Sequence, residues 1–131
     1  MPSLSRMLIL TAVLATGGMV PNAGARIDPD WITRYASPDG RKDEASAVVT
    51  DAAGNVYVTG SSGFTNLGTW NVVTVSYAPD GTQRWIDIYD NPGGTQDLGS
   101  ALTMAPDGTL IVVGRSAGNM LVIKYDPADG S

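Results

Sequence analysis

The feature that most constrains this chain is an internal repeat. Trp31-Ile32-Thr33-Arg34-Tyr35 recurs as Trp85-Ile86-Asp87-Ile88-Tyr89, an offset of 54 residues. The same offset carries Pro38 to Pro92, Asp43 to Asp97, Ala47 to Ala101, Gly54 to Gly108 and Gly60 to Gly114. Residues 31–60 and 85–114 share 11 identities over 30 gapless positions. After Gly114 the offset falls to 48, because Tyr77 answers to Tyr125. The first copy therefore carries six more residues after Gly60, which reads as a longer loop. Repeats of this length stack one supersecondary unit against the next, since no unit buries its apolar face alone.

Each copy divides into short apolar runs bounded by turn residues, the pattern of strands. The runs lie near 31–35, 45–50, 55–61 and 72–77, then 85–89, 100–104, 109–115 and 120–125. Asn55-Val56-Tyr57-Val58-Thr59 is β-branched and aromatic, which suits a pleated surface. Leu110-Ile111-Val112-Val113 and Leu121-Val122-Ile123 do not alternate, which predicts sheets covered on both faces. Ala78-Pro79-Asp80-Gly81-Thr82 and Ala105-Pro106-Asp107-Gly108-Thr109 spell one turn twice. Proline presets φ, Asp bonds the backbone two residues on, and Gly takes the left-handed conformation. A calcium loop needs six to eight oxygens, more than these turns offer, so no metal site is expected.

The motifs in order resemble the SBBP family of seven-bladed β-propeller repeats of secreted bacterial proteins. Trp31 and Tyr35, Asp43, then Asp51-Ala52-Ala53-Gly54-Asn55-Val56-Tyr57-Val58-Thr59-Gly60 carry the likeness. Thr74-Val75-Ser76-Tyr77 through Gln83-Arg84-Trp85 continues it. The second copy departs, with Ala105 in place of the Asp and Thr109-Leu110-Ile111 in place of Asn-Val-Tyr. The resemblance implies an all-β fold of two four-stranded antiparallel propeller blades, an incomplete propeller. The repeats span 31–84 and 85–131. It implies that the strand after Asp43 is innermost and the strand of Trp85 outermost. Trp31 and Trp85 would fill the space between blades, Tyr35 and Tyr89 would serve the same framework, and Gly54, Gly60, Gly108 and Gly114 would permit turns and close packing. Asp80-Gly81-Thr82-Gln83-Arg84-Trp85 is loosely similar to the docking segments of pyrroloquinoline-quinone propellers, which space Asp and Gly farther apart. No cofactor is expected.

Residues 1–25 read as a secretory signal peptide ahead of a partial propeller over 26–131. Arg6 supplies the charge, Met7 to Ala15 the apolar run, and Ala23-Gly24-Ala25 the cleavage site. The apolar run is well short of the ~20 residues a membrane span needs. The mature chain is expected to be secreted or periplasmic with no membrane span. Eight basic against thirteen acidic residues give a net charge of −5, which does not attract nucleic acid. His and Cys are absent, which removes triad catalysis, zinc ligation and disulfides.

The recurring Asp43 and Asp97 are the candidate ligand-binding residues, set against the reading that each caps a loop. Glu44, the only Glu, has Leu98 at its repeat position. No catalytic residue is nominated. The expected function is a non-enzymatic scaffold or interaction surface for a protein, glycan or cell-envelope partner. The alternative is a fragment of a propeller-based hydrolase or quinone-dependent enzyme whose active site lies outside this chain. A propeller needs four to eight blades. Two repeats therefore mean a truncated frame, self-association through edge strands, or a two-sheet monomer.

Overall fold

The computed structural model describes residues 28–38, 40–64 and 67–131. The signal peptide expected at 1–25 lies outside them. Among the described residues, seven strands form two antiparallel sheets: β1 (Lys42–Thr50), β2 (Val56–Phe64), β3 (Thr69–Tyr77) and β4 (Gln83–Tyr89), then β5 (Asp97–Met104), β6 (Leu110–Ser116) and β7 (Asn119–Tyr125). Each sheet is a meander, ordered β1-β2-β3-β4 and β5-β6-β7. These are two blades, stacked face to face and not closed into a barrel. Their first strands, β1 and β5, touch each other. No helix among the described residues is long and apolar enough to cross a membrane.

The turns take the form their sequences predict. Ala78 N–H donates to Thr82 O at 2.8 Å and Gly81 N–H to Ala78 O at 2.9 Å. Ala105, Thr109 and Gly108 repeat those bonds at the same two distances. Gly81 and Gly108 have φ of 84° and 83°, the left-handed region that the turn requires.

Gly60 and Gly114 serve a different need. Gly60 faces Ala45, and Gly114 faces Gly99, each beside a bulge in the first strand of its blade. A Cβ on Gly60 would collide with the Glu44 carbonyl, and one on Gly114 with the Leu98 carbonyl. The bulge presses backbone onto backbone there, and only a residue without a side chain admits it.

Four expectations need correction. Residues 31–35 form no strand, because no described strand lies beside them to complete a ladder. The second blade has three strands among the described residues where four were expected: β4, the strand of Trp85, pairs with β3 and so completes the first sheet instead of entering the second. The six extra residues after Gly60 do not form a plain loop. They lengthen the β2–β3 hairpin by the pairs Gly63 with Trp70 and Phe64 with Thr69, and Trp70 also bridges to Gln96. Lastly, the second blade is covered on one face only. Leu110 and Val112 are buried, while Val113, Met120 and Val122 are exposed.

The core sits between the blades. Tyr57, Val72 and Trp85 of the first meet Leu110, Val112 and Tyr125 of the second. A smaller cluster of Val73, Val75 and Tyr77 lies on the opposite face of the first blade, with Tyr35, Val56 and Val58 against it.

Candidate functional site

The junction between blades is built around Trp85. Its ring lies 6.0 Å from that of Tyr57 and 5.8 Å from that of Tyr125, both tilted. Such tilted aromatic pairs add about 0.5–1.5 kcal/mol beyond the area they bury. The indole N–H donates to the Pro127 carbonyl at 3.0 Å. Arg84 reaches the same carbonyl at 3.2 Å, and also Tyr57 Oη at 3.2 Å and Ser76 Oγ at 3.1 Å. Tyr57 in turn donates to Asp51 Oδ2 at 2.9 Å. Tyr125 donates to Asp87 Oδ2 at 2.8 Å. Burial, reinforced by Asp87, raises the Tyr125 hydroxyl pKa far above the ordinary value, so it stays a donor. Burial and then Asp51 push Tyr57 the same way. This network was not legible in the sequence: the repeat position of Arg84 is Asp30, so no recurring residue marks it.

The same arrangement recurs at the front of the first blade. Trp31 lies 6.4 Å from Tyr77, tilted by 35°, where Trp85 and Tyr125 are tilted by 37°. Its indole N–H donates to the Pro79 carbonyl at 3.0 Å, as that of Trp85 does to Pro127. Gly81 lies beneath Trp31 as Gly130 lies beneath Trp85; in each case an added Cβ would come within 2.8 Å of the indole. Residues 31–35 thus take before the first blade the place that β4 takes before the second. No other described strand belongs to that preceding layer, and a cavity of about 270 Å³ opens between Trp31, Tyr35 and the sheet behind Val58, Val75 and Tyr77. At the inner junction the equivalent space is filled by Tyr57 and Val72.

The two candidate ligand-binding residues are each engaged locally. Asp43 Oδ2 accepts from the Ser37 amide at 2.9 Å and from its hydroxyl at 3.2 Å. Asp97 Oδ2 accepts from the Asn91 amide at 2.7 Å. Ser37 and Asn91 are themselves 54 residues apart, so one loop-capping bond is made twice. Burial works against ionisation of Asp43, but the hydroxyls and amide around it outweigh that and lower its pKa below the ordinary value. The second oxygen of each carboxylate is buried without a hydrogen-bond partner. Asp97 is wholly buried. Glu44 pairs with Lys42 on the exposed edge of β1. No group of three or more acidic residues among the described residues could hold a metal ion.

The remaining residues singled out from the sequence fall at the frame of the blades. Tyr89, at the end of β4, packs on the inter-blade core, and Tyr35 on the outer cluster. Gly54 and Gly108 take φ of 82° and 83° in the turns before β2 and β6.

Residues 30–68 match the family model of the SBBP beta-propeller repeat. The matched segment runs from the docked Trp31 stretch through β1 and β2. No curated protein matches the chain.

Proposed function

We propose that this chain, an SBBP-type beta-propeller repeat protein, acts as an exported, non-enzymatic module that presents an interaction surface to a protein, glycan or cell-envelope partner. One observation carries the reading. The polar side chains that recur with the repeat are used for building blades: Asp43 and Asp97 each cap a loop of their own blade. Asp43, whose pKa these bonds hold below the ordinary value, is ionised and so a poor general acid, and its lowered basicity makes it a weak general base. The acidic net charge of −5 adds that a basic or neutral partner is favoured over a polyanion.

The test is a pull-down of the purified, exported gene product with insoluble cell-wall glycan, run beside a reducing-sugar assay and an alcohol-oxidation assay. Saturable binding with no product in either assay is the expected result. Turnover in either assay would overturn the reading in favour of an enzyme.

A further inference from the structure

The chain carries both halves of one junction at opposite ends. At the front, residues 31–35 form the docked outer segment of a blade that has no other described strands, over an open apolar seat. At the back, β7 is paired with β6 alone among the described strands, and the bare face beside it has an apolar centre flanked by Arg115 and Lys124. Met120 is 88% exposed and Val122 59% exposed, with Val113 beside them. The repeat says what that face corresponds to. Ile111, Val113, Met120 and Val122 stand where Tyr57, Thr59, Val72 and Thr74 stand in the first blade. Those four are buried against the second blade. Likewise Val56, Val58, Val73, Val75 and Tyr77 at the front stand where Leu110, Val112, Leu121, Ile123 and Tyr125 stand in the inner junction.

We infer that the partner for this surface is a second copy of the same chain, joined head to tail. The back of one copy's second blade seats in the front cavity of the next, and the next copy's residues 31–35 add to β7 as its outer strand. The inner junction dictates the register. Ser76 pairs with Trp85, Val75 with Ile86 and Thr74 with Asp87. Carried over by the two offsets, Lys124 pairs with Trp31, Ile123 with Ile32 and Val122 with Thr33. This joins an unpaired strand edge to a segment without a sheet, and sets the apolar centre of the back face, Val113, Met120 and Val122, against the front seat. The back face differs from its inner counterpart in both directions: Val122 replaces Thr74 and Val113 replaces Thr59, while exposed Lys124 and Arg115 stand where the buried Ser76 and Ser61 stand. A heterologous contact of this kind must close or polymerise.

The inference rests on the propeller reading, and its test separates the two. The full chain is produced by export from a bacterial host, and mass spectrometry fixes the processed subunit mass. Light scattering is expected to return a discrete mass of more than one subunit, with a β-sheet circular dichroism spectrum. The chain has no cysteine, so Thr33→Cys combined with Val122→Cys places one thiol on each side of the junction. Mild oxidation should link subunits into a ladder that collapses on reduction, while each single variant forms no ladder. Val122→Arg, at a position already exposed, should drop the mass to one subunit with the spectrum unchanged. A folded protein of one subunit would overturn the self-association and leave the propeller module standing. So would an oligomer in which the paired thiols fail to link. A chain that gains β structure only when another polypeptide is added would also overturn it, by giving the seat to that polypeptide.

Discussion

Trp85 donates its indole N–H to the carbonyl of Pro127 at 3.0 Å, and this bond ties the outer strand of one blade to the last turn of the next. Trp31 makes the same bond to Pro79 at the same distance. The two differ in burial. Trp85 is 9% exposed, and Trp31 is 36% exposed because no described strand covers its outer side. The difference sets the cost of removing each ring. Trp85→Ala should destabilise by ~3–5 kcal/mol, the range for deleting a buried aromatic. Trp31→Ala should cost about 1–2 kcal/mol in a single subunit, in proportion to its smaller burial. Trp85→Phe, which keeps most of the ring and loses the N–H, should cost roughly 1 kcal/mol for the bond plus the partial loss of packing. Urea denaturation of the three variants measures this. Equal costs for Trp85→Ala and Trp31→Ala would mean that the front segment is covered in solution.

The glycines divide by mechanism, and asparagine distinguishes them. Gly108 has φ of 83° and open space where a side chain would project, so its constraint is conformational. Asn tolerates that region better than other residues, and Gly108→Asn should cost under about 1 kcal/mol. Gly114 has an ordinary φ but abuts the Leu98 backbone. Gly114→Asn and Gly114→Ala should both cost ~2–3 kcal/mol or more, because a carbonyl in a bulge cannot retreat without breaking the ladder. Thermal melts of the variants should rank Gly108→Asn well above the two at Gly114.

Asp97 tests whether the recurring carboxylates hold the frame. Asp97→Ala removes the acceptor of the Asn91 amide and should cost about 1–3 kcal/mol, the penalty for leaving a buried donor without a partner. Asp97→Asn keeps one acceptor oxygen and should recover part of that. If the buried carboxyl were instead held for a ligand at the expense of stability, both variants would melt higher than the parent in ligand-free buffer. Asp43→Ala should cost less than Asp97→Ala, since Asp43 is only partly buried.

Much of the fold was legible because the repeat and the turns act locally. Pro79-Asp80-Gly81 and Pro106-Asp107-Gly108 specify one turn each from their own atoms, and the Asp80 and Asp107 carboxylates accept from Thr82 and Thr109 as their spacing requires. The partnering of surfaces was less legible. Val113 and Val122 read as interior residues, yet they are bare, because whether a strand face is covered depends on what stacks upon it and not on its own sequence. Residues 31–35 carry strand composition, but a strand exists only with a neighbour to bond. The extended hairpin ending at Trp70 was hidden for a similar reason: six inserted residues look the same in a sequence whether they loop or pair. Arg84 was missed because its acceptors come from three separate stretches of chain, and no pattern links them.

The pH dependence follows from Asp107. Its carboxylate accepts from the Thr109 hydroxyl at 2.6 Å and from the Thr109 amide at 3.1 Å, and Lys124 Nζ lies 3.1 Å from its other oxygen. The Thr109 hydroxyl first, then the amide, then Lys124 hold its pKa at about 2, below the ordinary value of 3.8. Folding therefore favours the ionised form. The stabilisation from this group is fully present above the unfolded-state value and is lost as pH falls from there through about 2. Asp107 is exposed at the surface, so solvent screening keeps the contribution small. The direct measurement is a carboxyl-carbon NMR titration, in which Asp107 should have its midpoint near 2. Thr109→Val should move that midpoint upward, because it deletes the largest of the three causes and keeps the amide. Lys124→Met should move it upward by less. A larger rise with Lys124→Met than with Thr109→Val would show that charge, and not the turn's hydrogen bonds, sets the acidity of this Asp-Gly turn.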